Sequence, residues 1–265
     1  LLPAAMRPHI AAIYAFARAA DDFADEGNRA PSERLALLDE WGNRLAASTS
    51  GATADSPNPE SRTPNPERDA VFLALSHTIR TCSLPVGLFE DLLSAFRQDV
   101  ATKRYDTWAE VMDYCRRSAN PVGRLVLRVA GRATPALDAA SDAVCTALQL
   151  TNFWQDLERD WLNGRLYVPR EDRDRFGARE GDLDARRITP AWRAVMTEMA
   201  GRTRRLFEDG RAVADGLDGR LRYELRLTWL GGVRILDRLE RAGFDVFTAR
   251  PTLGSADIAA LLWSA

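Results

Sequence analysis

Apolar residues recur three and four positions apart along nearly the whole chain, and runs alternating apolar with polar at a period of two are almost absent. Alanine, leucine, arginine and glutamate, which lose little freedom on entering a helix, dominate. The pattern predicts an all-α fold with helices at roughly 8–25, 32–47, 67–80, 85–101, 107–118, 121–131, 136–162, 190–215, 219–241 and 255–264. Two stretches break the pattern. Residues 48–66 are rich in Ser, Thr, Asn, Pro and Gly and read as a mobile surface loop; residues 163–190 are rich in Asp and Arg and less regular. Both flanks of the loop have the same helical character, so one domain spanning 1–265 is expected.

Two helices carry polar lines that their apolar surroundings do not explain. The first has Ile10, Ala12, Ile13, Ala15, Phe16, Ala17, Ala19, Ala20, Phe23 and Ala24 on all sides, a pattern of burial. Yet Tyr14, Arg18, Asp21 or Asp22, and Asp25 share a stripe at offsets of three and four. Buried carboxylates are costly unless compensated, and Arg18 cannot neutralise three. The stripe therefore faces solvent or lines a cavity holding cations. The helix at 136–162 repeats the construction. Gln149, Asn152, Asp156 and Asp160 form an oxygen-rich line among Leu148, Leu150, Phe153, Trp154, Leu157 and Trp161. Such donors suit Mg²⁺, which takes one or two carboxylates plus substrate phosphates. With Arg18 they point to a departing diphosphate stabilised by Mg²⁺ and a guanidinium. A carbocation left behind needs a dry apolar pocket, with aromatic rings adding weak cation–π support.

Composition narrows the alternatives. With 36 basic and 38 acidic residues among 265, the net charge is −2, and nucleic acid is not an expected partner. Three cysteines (Cys82, Cys115, Cys145) without C-x-x-C spacing suit a reducing cytoplasm. Two distant histidines, His9 and His77, leave little for zinc hydrolysis or a histidine triad. No apolar run of transmembrane length occurs. The tryptophans Trp154, Trp161, Trp192, Trp229 and Trp263 read as core, and Arg202-Thr203-Arg204-Arg205 reads as a solvated helix face.

The segment from Tyr14 to Glu26, with Asp21-Asp22-Phe23-Ala24-Asp25 at its end, resembles the first aspartate-rich motif of the squalene and phytoene synthase family. Gln149 to Asp160, followed by Gly164-Arg165-Leu166-Tyr167-Val168-Pro169, resembles the second. The resemblance implies an all-α isoprenoid-synthase bundle with a central cavity between two aspartate-rich helices. It also implies two or three Mg²⁺ ions and an isoprenoid diphosphate substrate. Within the family, Tyr114-Cys115-Arg116-Arg117-Ser118-Ala119-Asn120-Pro121-Val122-Gly123-Arg124, Leu225 to Leu236, and Phe247-Thr248-Ala249-Arg250-Pro251 are similar to the hydroxysqualene synthases of bacterial hopanoid biosynthesis.

That similarity implies a lyase converting presqualene diphosphate and water to hydroxysqualene and diphosphate, without NADPH. The alternative is a transferase joining two farnesyl diphosphates to presqualene diphosphate, squalene or a C30 carotenoid precursor. A non-catalytic helical assembly factor is a third reading, against which the intact aspartates stand. Carried over, Asp21, Asp25, Asp156 and Asp160 are catalytic; with Asn152 they are the metal ligands. Arg18 and Arg250 bind diphosphate, and Tyr14, Asn120, Val122, Gly123 and Gln149 contact substrate. Three departures stand out. Gln155 occupies a position where carotenoid-type relatives have arginine, no tyrosine lies near Gly232, and the family's upstream serine- and phenylalanine-bearing segment is absent. The lipid substrate leaves room for peripheral contact with the inner face of the cell membrane and with pathway enzymes.

Overall fold

The computed structural model describes residues 2–25, 27–49, 66–254 and 257. The expected all-α class is met: among these residues the regular secondary structure is helical, with one isolated bridge, Arg104 to Leu166. In chain order the helices are α1 (Arg7–Asp25), α2 (Pro31–Thr49), α3 (Pro66–Thr81), α4 (Gly87–Ala101), α5 (Trp108–Ser118), α6 (Asn120–Val129), α7 (Pro135–Gln155), α8 (Leu157–Leu162), α9 (Arg170–Phe176), α10 (Glu180–Asp184), α11 (Pro190–Gly210) and α12 (Gly219–Arg241). Most of the 48–66 loop and the 255–264 helix lie outside the described residues. No helix among the described residues is long and apolar enough to cross a membrane.

Local chemistry sets several boundaries. Thr107 and Glu110 form a reciprocal capping box at the start of α5. Thr134 before Pro135 and Thr189 before Pro190 cap α7 and α11, with proline at the first helical position where its missing N–H costs nothing. Three expectations need correction. The 136–162 helix is interrupted at Asp156 (φ −100°, ψ 13°), the residue gripped by Arg250, although hydrogen bonds of helical spacing run across the break. The 190–215 helix ends at Gly210 and tightens into a 3-10 turn, Arg211–Val213. Residues 163–190 contain two short helices, α9 and α10.

The chain divides into two compact units, Pro3–Ala101 with Arg124–Ala133, and Thr102–Gly123 with Thr134–Ala265. In the first, α1 presents Phe16 to Trp41 of α2, Phe72 of α3 and Phe89 of α4, with ring centroids 5.4–6.1 Å apart. Phe16 is fully buried, and the Trp41 indole donates to its carbonyl at 3.2 Å. Burying such a side chain contributes about 2–3 kcal/mol. On α1 Ala12, Ile13, Phe16, Ala20, Phe23 and Ala24 are buried, whereas Tyr14, Arg18 and Asp25 of the polar stripe are exposed. Small alanines fit on either face, so their presence did not mark the buried side.

In the second unit α7 packs against α11 and α12. The Trp154 indole donates to Thr203 at 2.9 Å and the Thr203 hydroxyl donates to Met199 O at 2.8 Å, so the buried polar groups are satisfied. The Arg202–Arg205 run is not a simple solvated face. Asp172 is buried and needs a partner, which Arg202 supplies bidentately at 2.8 and 3.1 Å, while Arg204 pairs with Asp237 and Glu240. Trp154 and Trp192 are core, as expected. Where α11 crosses α7 the contact is so close that a Cβ at Gly210 would fall 2.7 Å from Ala140 O and 2.9 Å from Val144 N.

Backbone cannot yield as a side chain does, so Gly210→Ala is expected to destabilise the fold by about 2 kcal/mol. Thermal unfolding followed by circular dichroism should show a melting temperature lowered by several degrees; an unchanged value would contradict this crossing.

Candidate active site

In the first unit α1 places its acidic residues at its C-terminal end. Arg18 bridges two of them, one turn on: Asp21 at 3.0 Å and Asp22 at 2.7 Å. The side chains of this cluster keep 36–47% of their exposure, and Asp25 is exposed. Tyr14, two turns before Asp21, is 66% exposed. The stripe predicted from the sequence is therefore the accessible face of α1, held by the aromatic packing behind it.

In the second unit the oxygen-rich line runs from Gln149 and Asn152 in α7 through Asp156 to Asp160 in α8. Asn152 is exposed, and Gln149, Asp156 and Asp160 are partly buried. A segment after α12, Phe247–Gly254, meets this line. Arg250 donates to both carboxylate oxygens of Asp156, Nε to Oδ1 at 2.5 Å and Nη2 to Oδ2 at 3.1 Å, a forked pairing that a lysine could not make. Arg159 lies 3.7 Å from the same carboxylate. The Gln155 amide donates to Pro251 O at 2.6 Å. Beyond it, Asp257 accepts from Gly254 N at 2.8 Å and pairs with Arg238 and Arg234 of α12 at 2.5 and 3.5 Å.

Beside this junction lies a cavity of about 440 Å³, within the range of small-molecule sites. Asn152 and Gln155 of α7 line it with apolar or small groups of α12 and the terminal segment, among them Gly231, Ile235 and Leu253. Gly232 also lines it, and a Cβ there would meet Leu148 and Phe207 at 2.6 Å. Burial raises the Cys115 thiol far above its ordinary range and pushes Cys145 up to about 11, so neither supplies a thiolate at neutral pH.

Among the described residues no three His, Cys, Asp or Glu side chains form a ready-made metal site. The donors at hand, Asp21 and Asp25 in the first unit and Asn152, Asp156 and Asp160 in the second, are hard oxygens. They fit Mg²⁺, which needs few protein ligands when waters and phosphate oxygens complete its shell.

The predicted substrate contacts divide. Gln149 belongs to the oxygen line. Asn120 is buried and accepts from the Thr146 hydroxyl at 2.9 Å. A Cβ on Gly123 would meet Ser141 Oγ at 2.2 Å and Cys145 Sγ at 2.6 Å, so glycine permits close packing against α7. Val122 is 46% exposed. Sequence reasoning missed the Gln155–Pro251 bond and the Asp257 anchor. Gln155 was visible only as a departure from a pattern, and Asp257 carried no signal.

The Gly254 N–H first, then Arg238 and Arg234, hold the Asp257 carboxyl below its ordinary range, against some desolvation. Its stabilisation is therefore present above the unfolded carboxyl pKa of about 4 and is lost as pH falls through the lower folded value. Asp257→Asn is expected to melt below wild type at pH 7, with the gap closing towards pH 3. A gap independent of pH would contradict the anchor.

The Squalene/phytoene synthase family model matches residues 1–256. "Hydroxysqualene synthase" of Sinorhizobium fredii is 38% identical over 221 residues, 83% of this chain and 70% of that protein. "Hydroxysqualene synthase" of Rhodopseudomonas palustris is 36% identical over 236 residues, 88% of this chain and 75% of that protein. The crystal structure of squalene synthase HpnC from Alicyclobacillus acidocaldarius superposes with a TM-score of 0.81 at 40% identity, covering 92% of this chain and 86% of that one. The helical fold is accordingly the isoprenoid-synthase fold expected from the motifs.

Proposed function

This chain belongs to the squalene/phytoene synthase family, and from that premise we propose that it converts presqualene diphosphate and water to hydroxysqualene and diphosphate with Mg²⁺. The observation that carries this reading is the junction of unlike environments in the second unit. Hard-oxygen donors and a guanidinium (Asn152, Asp156, Arg250) adjoin an apolar cavity. One side suits a diphosphate, the other an isoprenoid chain. The hydroxysqualene synthases that match most of this chain support the choice of hydration.

In this reading Asp21 and Asp25 in the first unit, and Asn152, Asp156 and Asp160 in the second, would hold metal. When bound, Mg²⁺ neutralises charge on the departing diphosphate oxygens. In the second unit Arg250 would orient the diphosphate and offer hydrogen bonds that strengthen as the C–O bond breaks. The cavity lining of Leu148, Ile235, Leu253 and the bare backbone of Gly231 offers the cation no nucleophile of its own. The cyclopropylcarbinyl cation rearranges with opening of its three-membered ring, and one water adds to the rearranged cation and loses its proton, which balances the equation without a reductant. The acidic stripes account for the leaving group and the cavity for the lipid; a non-catalytic scaffold accounts for neither. A second reading, condensation of two farnesyl diphosphates, draws support from the squalene synthase named above.

The test is direct. With Mg²⁺ and no NADPH, presqualene diphosphate should yield hydroxysqualene, and farnesyl diphosphate should stay unconsumed. Consumption of farnesyl diphosphate into a C30 diphosphate would favour the second reading. Asp156→Ala should lower turnover by several orders of magnitude while the far-ultraviolet dichroism stays native; loss of the fold would make Asp156 a structural residue.

A further inference from the structure

The segment Phe247–Gly254 follows α12 and meets the end of α7, and it is tied at three places beside the Arg250–Asp156 pair. Arg186 donates to Phe247 O at 3.3 Å. Asp257 binds Gly254 N and the α12 guanidiniums, and Arg238 also donates to Thr252 O. The third tie, Gln155 Nε2 to Pro251 O at 2.6 Å, is one residue from Arg250. Its place in the chain is as telling as its length. Gln155 is the last residue of α7 and precedes Asp156, while Pro251 follows Arg250. A pair of neighbours in each segment thus makes two adjacent contacts: amide to carbonyl, and guanidinium to carboxylate.

We propose that Gln155 is a positioning residue, whose side-chain amide holds the Pro251 carbonyl and so registers Arg250 against Asp156. The proposal rests on the reading of Arg250 as a diphosphate ligand and Asp156 as a metal ligand. Proline suits the partner position: it has no N–H to compete and its fixed φ limits where its carbonyl can point. A neutral amide suits the other. Asp156 already faces Arg250 at 2.5 Å and Arg159 at 3.7 Å. A third cation at 155 would draw on the same carboxylate and would be repelled by the guanidinium it must place. Gln155 therefore offers a donor without charge. It also lines the cavity, so one side chain links the apolar chamber to the charged junction.

Three measurements on the full chain test this: hydrogen–deuterium exchange of the 247–254 peptide, calorimetric binding of inorganic diphosphate with Mg²⁺, and steady-state kinetics. Gln155→Leu removes the donor, and Gln155→Glu keeps the shape but replaces the donor with an acceptor. Both are expected to speed exchange in 247–254 while α12 exchanges as in wild type. Both should weaken magnesium diphosphate binding about fivefold to tenfold, the worth of one hydrogen bond, and raise KM more than they lower kcat. In an Arg250→Ala background neither should weaken binding further, because the route through Arg250 is already gone. Unchanged exchange in 247–254, or losses that multiply with Arg250→Ala, would overturn the proposal. A wild-type chain that binds no magnesium diphosphate would overturn both this and the reading it rests on. Unaltered affinity in Gln155→Leu beside a binding wild type would overturn this one alone.

Discussion

A carboxylate on an otherwise apolar helix must find a cation, because desolvation penalises it and the helix behind it cannot move away. That constraint organises each unit in turn. On α1 it is met by Arg18, which serves Asp21 and Asp22 together. At the end of α7 it is met by Arg250, whose fork matches both oxygens of Asp156. Deeper in the second unit Arg202 does the same for Asp172, and Arg238 with Arg234 for Asp257. Arginine recurs because its planar donors satisfy two acceptors at once.

The pairs differ in what they contribute. Arg18 and its partners remain 36–47% exposed, so their attraction is screened and contributes about 0–1 kcal/mol. Arg250 and Asp156 retain 28% and 15%, and the pair sits where the chain must be held. Exposed and weak on one helix, enclosed and geometrically fixed on the other, the two arrangements suit different tasks in the proposed reaction. The first leaves Asp21 and Asp25 accessible. The second presents a guanidinium in defined register.

Much of this was legible in the sequence, for reasons that also set the boundary. Helical periodicity located α1, α2, α3 and α12 almost to the residue, since burial of one face repeats every turn. It merged α7 with α8, because hydrogen bonds of helical spacing persist across Asp156 and leave the apolar pattern intact. Gly210 ends α11 at a crossing that only the position of Ala140 and Val144 reveals. The stripes on α1 and α7 were readable because both obey helical spacing. Asn120 and Gly123 also meet Thr146, Ser141 and Cys145 of α7, a packing that no local pattern encodes. Gln155 binds a backbone carbonyl 96 residues away, and carbonyls have no sequence signature.

The oxygen donors and arginines account for removing a diphosphate, and they serve condensing and hydrating chemistries equally. What separates the account from both condensation and simple phosphate-ester cleavage is the bond that breaks and the origin of the new oxygen. Turnover of presqualene diphosphate in ¹⁸O-labelled water, with Mg²⁺ and without NADPH, reads this directly by mass spectrometry of the lipid. Cleavage at the carbon–oxygen bond predicts hydroxysqualene carrying one ¹⁸O on carbon and diphosphate carrying none. An unlabelled alcohol, with the label in the phosphate, or a product free of oxygen would contradict it.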